Sequence, residues 1–323
     1  MTIFNIVLPI FAIISIGYIA GVTGIIQKSG TKSLNNFVFY IALPALLFQS
    51  TANAPLEQLM NWPFIAGNLG GIFASFFLAI LLSKLVFKRS TLTLTIYGMN
   101  ASYGTTGYMG IPLVLAAFGS DAALPAALAT LIHNIPIITI VLIVCESVQI
   151  MVHKEKLHFL KIVSKILKPV LTSPLTLSVI LGIIVATLQI PLPKAVTTFS
   201  ELLANASGAT ALFAIGLGLV GQFSVMKSST PNIAEVGVIV FLKLFFQPLI
   251  TFVLMIYVFE IEPLWAIVSL IMSALPVGAG VFVFAQKYEK LTTQTLMATF
   301  ISMILSAVTL SIILMFINHS NFL

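Results

Sequence analysis

Apolar residues in this chain come in long runs separated by short polar stretches. A helix rises about 1.5 Å per residue, so roughly 20 apolar residues in helix cross the hydrocarbon core of a bilayer. Reading for such runs predicts ten membrane helices, over residues 2–22, 33–51, 62–86, 91–117, 121–150, 170–190, 196–221, 233–259, 262–286 and 292–317. Only one connecting stretch is long and polar, 151–169. The first run has no basic leading segment and no cleavage site, so it reads as a span and not as a signal peptide.

The charges test this map. With the loops numbered in order, the odd ones and their flanks hold Lys28, Lys32, Lys84, Lys88, Arg89, Lys154, Lys156, Lys161, Lys165, Lys168, Lys227, Lys287 and Lys290, which is 13 of the 15 basic residues. Even loops hold Lys194 alone, and Lys243 falls inside a run. Basic loops stay cytoplasmic, so both termini are expected outside. A wrong span count would scramble the alternation beyond the error, and no scrambling occurs.

Composition agrees. Of 323 residues, 59% are hydrophobic and 7% charged, against about 25% charged in a soluble domain. Mean hydropathy is +1.13. That much apolar surface needs lipid as part of its solvent. The formal charge of +6 is spent on orientation, so no nucleic-acid partner is implied. Cys145 is the single cysteine, which excludes a disulfide within the chain.

The polar stretch 151–169 divides the chain into five runs and five runs. An odd number per half turns the second half upside down, the plan of many carriers. The predicted fold is therefore an all-α polytopic membrane protein of ten transmembrane helices. Residues 1–150 form one five-helix repeat, 151–169 a cytoplasmic linker, and 170–323 a second, inverted repeat. The fourth run of each half is punctuated alike, by Asn100-Ala-Ser-Tyr-Gly-Thr-Thr-Gly-Tyr-Met-Gly-Ile-Pro112 and by Ser273-Ala-Leu-Pro-Val-Gly-Ala-Gly280. Proline removes a donor and clashes four residues back, so Pro112 should disturb the turn at Tyr108 and Pro276 the turn at Met272. Freed backbone groups survive in a membrane only inside protein or a wet cavity. Two broken helices that cross there offer half-helix N-termini, with free N–H donors and partial positive charge, to an anion.

These segments resemble the auxin efflux carrier family, in its bacterial malate- or malonate-permease branch. Thr106-Gly-Tyr-Met-Gly-Ile-Pro-Leu113 resembles the family's first crossover. Ala274-Leu-Pro-Val-Gly278 followed by Val281-Phe-Val-Phe-Ala285 resembles the second, and Leu43-Pro-Ala-Leu-Leu-Phe48 its second-span signature. The resemblance implies a scaffold of spans 1, 2, 6 and 7, a transport body of the other six moving like an elevator, and a homodimer through the scaffold. It places substrate near Thr105, Thr106, Gly107, Pro112, Pro276, Val277 and Gly278. Thr105 stands where the plant proteins have Asn, Val277 stands where they have Gln, and the central loop is short. Auxin is therefore a poor fit, and a small carboxylate a better one.

Ionisable and polar residues inside spans are functional candidates, because their burial is costly. Lys243 lies about 15 Å into its run; it either neutralises an anion or replaces a coupling cation, or else it is structural, bracing carbonyls freed near Pro248 or snorkelling to the surface. His133, with Asn134 beside it, aligns with a site-lining Gln of the family, counting back from Glu146. It either couples protons or is a neutral hydrogen-bonding histidine. Asn100 and Ser102 are further polar candidates. There is no metal-ligand spacing, phosphate-binding loop or nucleophile elbow, and no cofactor is expected. An enzyme is not indicated, and ten spans leave no room for a nucleotide-driven motor. The reading is a secondary carrier of the cytoplasmic membrane for a small organic anion, by uniport or with protons. Alternatives are a sodium-coupled symporter of the bile-acid type, which would want carboxylates at the crossover, and a transporter-like solute sensor.

Overall fold

A computed structural model of the chain describes residues 3–27, 29–53, 60–153, 172, 174–218, 220 and 232–319. Among these the only extended pairing is one isolated antiparallel bridge; nearly everything else is helix. Helix α1 spans Ile3–Val22. Helices α2 (Gly30–Phe37) and α3 (Leu43–Ala52) join through a π turn, Val38–Ala42, into one rod. There follow α4 (Trp62–Leu85), α5 (Thr91–Ser102), α6 (Ile111–Phe118), α7 (Ala123–His153), α8 (Pro174–Thr187) and α9 (Lys194–Gly218). The remainder are α10 (Ile233–Phe241), α11 (Gln247–Val253), α12 (Pro263–Ser273), α13 (Ala279–Lys287) and α14 (Thr292–His319).

Each of the ten apolar runs contains helix. Five stretches are long and apolar enough to cross a membrane: Trp62–Leu85, Ser120–Cys145, Lys194–Gly218, Ile233–Val258 and Thr292–Ile317. Shorter apolar helices stand at Ala12–Val22, Thr106–Phe118, Pro174–Thr187 and Pro263–Ser273. Large apolar side chains such as Phe77, Leu81, Leu181, Phe199, Phe241, Leu249 and Ile312 point outward, as a lipid-facing surface requires. Helix α7 runs to His153, three residues past the expected end of its run. The rest of the expected linker lies outside the described residues, as do Lys28, Lys154, Lys156, Lys161, Lys165, Lys168 and Lys227 of the orienting charges.

Proline explains where the helices widen. Pro44, Pro112 and Pro248 each sit at the second position of a helix that follows a π turn: Val38–Ala42, Thr106–Gly110 and Leu242–Phe246. A proline ring strikes the carbonyl four residues back, which here is Tyr40, Tyr108 and Leu244. The wider turn takes up that clash without ending the helix. The disturbance expected at Tyr108 is therefore found, as a π turn.

Packing divides the helices into two bodies. In the first, α9 packs on α1 and on α2–α3, and α8 on α3; in the second, α4, α5 and α7 pack with α10 to α14; α6 lies at the boundary, against α7 on one side and α9 and α1 on the other. In the first body α1 and α9 touch backbone to backbone, since a Cβ on Gly216 would overlap the Ile14 carbonyl, the close approach that small residues permit in membranes. In the second, Arg89 of the α4–α5 link forks onto the fully buried Glu235 of α10. Nε reaches Oε1 at 2.6 Å and the second nitrogen reaches Oε2 at 3.0 Å. Gln294 of α14 donates to the same carboxylate at 3.1 Å. The hydrogen bond to Glu235 holds the Arg89 guanidinium above its ordinary pKa.

Candidate functional site

Helix α5 ends at Ser102 and α12 at Ser273, and the two breaks cross inside the second body. Tyr103-Gly104-Thr105 runs antiparallel to Pro276-Val277-Gly278. Gly104 pairs with Val277, Thr105 N donates to Pro276 O at 3.1 Å, and Gly278 N donates to Tyr103 O at 3.0 Å. Val277 N donates to Ser302 Oγ of α14 at 3.0 Å. Each break thus satisfies the other's freed backbone, which a membrane interior demands. The closeness needs glycine: a Cβ on Gly278 would lie 2.7 Å from the Tyr103 ring and 3.0 Å from Gly104 O. Three extended residues span about 10 Å, so four half-helix ends meet in that distance.

The two C-terminal ends are capped from the α10–α11 rod. Lys243, in its π turn and fully buried, donates from Nζ to Ser273 O at 2.6 Å. One turn on, Gln247 donates from Nε2 to Ser102 O at 3.3 Å. Ser75 of α4 donates to Ala101 O at 2.7 Å. A cation at a helix C-terminus opposes the partial negative charge there. Lys243 thus braces carbonyls of the crossover itself, and not those freed near Pro248. Pro276 differs from expectation. It stands past the end of α12, so Met272 stays in regular helix and the Pro276 carbonyl serves as an acceptor at the crossing.

The N-terminal ends differ in exposure. The π turn before α6 begins at Thr106, and α13 begins at Ala279; the first amides of a helix have no partner within it. Around the crossing Tyr108 and Ala279 are exposed and Tyr103, Thr105, Asn134 and Gly280 are half-buried, whereas Ser102 and Ser273 are buried. Thr106 Oγ1 donates to Asn134 Oδ1 at 3.4 Å. Tyr108 stacks on Phe39 of the first body, with ring centroids 5.3 Å apart. A Cβ on Gly107 would lie 3.5 Å from Leu175 of α8. The N-terminal side of the first break therefore abuts the boundary between the two bodies.

Of the residues expected at a site, the fold gathers Thr105, Thr106, Pro276, Val277, Gly278 and Lys243 at the crossing, with Asn134 and Gly107 adjoining. Pro112 lies two turns beyond Thr105, its carbonyl 3.9 Å from where a Cβ on Gly208 of α9 would stand. Asn100 ties α5 to α14 through Thr295 Oγ1 at 2.9 Å. His133 Nε2 meets Asn68 Oδ1 at 3.3 Å, and Asn68 donates to Ser269 Oγ of α12 at 3.0 Å. Asn100 Oδ1, His133 Nδ1 and Gln247 Oε1 are buried without a partner among the described residues. The roles of Asn68, Ser75, Gln247 and Ser302 were not anticipated. Their signal was available, since each is a polar side chain within an apolar run.

Comparison with known proteins points to membrane transport. The profile of a family described as membrane transport protein matches residues 2–314. A Rhizobium meliloti protein named "Putative malonate transporter" is 28% identical over 304 residues, 92% of each chain. The Escherichia coli K12 "Uncharacterized transporter YfdV" is 26% identical over 75% of this chain and 74% of its own. The mouse "Lysosomal cholesterol signaling protein" is 28% identical over 93% of this chain but only 36% of its own length.

Proposed function

The chain belongs to the membrane transport protein family, and on that premise we propose that it is an elevator-type secondary carrier for a small organic anion such as a carboxylate, by uniport or with protons. The observation that carries this reading is the unequal exposure of the crossing. The exposed positions lie on the N-terminal sides, at Tyr108 and Ala279, although Thr106 and Gly107 are themselves buried; the C-terminal ends are buried and capped. Positive helix ends with unpaired amides are a ready site for an anion. No carboxylate lies between Asn100 and Pro112 or between Ser273 and Gly280 to repel it. The malonate named for the Rhizobium meliloti relative is of the same chemical class.

The two packed bodies supply the moving parts of this proposal. Helices α1, α2–α3, α8 and α9 act as the scaffold and as the surface of a homodimer; the remaining helices carry the crossing across the membrane. In this proposal the chain crosses the cytoplasmic membrane ten times as two inverted repeats, with both termini outside; the basic residues of the odd loops support that orientation.

The test is thermal stabilisation of the purified protein by mono- and dicarboxylates, malonate included, at two pH values and with or without sodium. Stabilisation by at least one carboxylate, equal in both salts, is expected. Response to cations or neutral solutes and to no carboxylate refutes the anion reading. Stabilisation only in sodium moves the assignment to a sodium symporter. The mouse relative's name supports a second reading, a solute sensor. Substrate counterflow in proteoliposomes separates the two, because a sensor binds without exchange.

A further inference from the structure

In carriers with broken helices, unwound carbonyls and half-helix C-terminal ends are where a coupling sodium ion is held. Here that position has an occupant from the chain. Lys243 Nζ lies 2.6 Å from Ser273 O, the last residue of α12. The same ammonium is 3.3 Å from where a Cβ on Gly104 would stand, so the absent side chain at the crossing leaves its room. Lys243 is fully buried, and no carboxylate among the described residues is paired with it. One turn along the rod, Gln247 holds the other C-terminal end and keeps a buried Oε1 with no partner among the described residues.

We infer that the Lys243 ammonium is a tethered cation that replaces a diffusible coupling ion at the crossover, so that the protein assembles its anion site without sodium. This rests on the carrier reading for its purpose, but not for its test. An uncharged brace would serve the hydrogen bond to Ser273 O equally well. A neutral carbonyl end would not need a strongly hydrated ammonium stripped of water, whose burial is costly unless a charge or dipole offsets it. The negative end of α12 is that dipole. The π turn that carries Lys243 places it on the same face as Gln247, so one rod closes both C-terminal ends.

The experiment uses the full chain with Lys243→Ala, which opens a space for a small cation, Lys243→Met, which fills it, and Lys243→Gln, which keeps a donor without charge. Thermal stability is measured without substrate in choline, sodium and methylammonium salts. The wild-type protein should be indifferent to the salt. Lys243→Ala should melt lower in choline and recover in methylammonium or sodium; Lys243→Met and Lys243→Gln should not recover. Where a carboxylate ligand is known, Lys243→Ala should bind it about tenfold more weakly in choline, the scale of a cation–helix-end contact, and recover with the same salts. Full stability of Lys243→Gln in choline would reduce Lys243 to a hydrogen-bonding brace and overturn the inference. So would a folded Lys243→Ala that no small cation restores, or a wild-type protein stabilised by sodium. If Lys243→Ala does not fold in choline, its purification in methylammonium alone supports the inference, and failure in every salt, with Lys243→Gln folded, refutes it. Should no carboxylate bind the wild-type protein, the carrier reading loses its anion while the salt dependence of stability still decides this one.

Discussion

Replacing Gly278 by alanine tests whether the crossing is the structural centre of the protein. The added Cβ would stand 2.7 Å from two carbons of the Tyr103 ring and 3.0 Å from Gly104 O. Carbon atoms in contact prefer about 3.5–4.0 Å. The ring can rotate away, but the Gly104 carbonyl belongs to the paired segment and must move with it. The shift stretches the bonds from Gly278 N to Tyr103 O and from Thr105 N to Pro276 O, now 3.0 and 3.1 Å. A buried amide left unpaired costs about 1–3 kcal/mol, so stranding the Gly278 and Thr105 amides costs on the order of 2–6 kcal/mol before their carbonyl partners are counted. Gly237→Ala is the matched control, because nothing lies within 4 Å of a Cβ there and the position is helical. Alanine in an exposed helix gains up to about 1 kcal/mol over glycine. In thermal unfolding of purified protein, Gly278→Ala should melt several degrees lower and lose ligand stabilisation, whereas Gly237→Ala should melt at or above wild type. Equal melting of the two variants would show that the breaks are not held in contact, and the site reading would fall with them.

Other expectations follow from the same geometry. Arg89→Ala leaves Glu235 buried without its cation and should cost about 3 kcal/mol, the low end for a broken buried pair because Arg89 is itself 39% exposed; Glu235→Gln should cost less, and equal costs in chemical denaturation would contradict this. Thr105→Leu should abolish ligand stabilisation in a folded protein by crowding the crossing, and normal binding would place the site elsewhere. In a Cys145→Ala background, membrane-impermeant thiol reagents applied to intact cells should label a cysteine at position 2 or 322 and not one at 158; labelling at 158 would refute the proposed orientation.

The apolar runs were legible as membrane helices because lipid allows no economy: a helix crossing a bilayer must be apolar along its whole length, and five of the runs hold helices long and apolar enough to do so. The breaks were legible for a related reason. Pro112, Pro276 and the glycines beside them cannot sustain a regular helix, whatever surrounds them. The likeness to a carrier family also rested on those punctuated segments. What could not be read was which polar group answers which. Lys243 finds Ser273 O 30 residues away, His133 finds Asn68 across 65, and Arg89 finds Glu235 across 146. Runs that are apolar on every side carry little information about which face meets which neighbour, since lipid and protein interior are equally good solvents for leucine. Only when α4, α7 and the α10–α11 rod close around the crossing do Ser75, Gln247 and Lys243 become its caps and Asn68 the link between His133 of α7 and Ser269 of α12. The partners were decided by packing, because a buried donor or carbonyl must be matched by whichever complementary group the tertiary fold brings within about 3 Å.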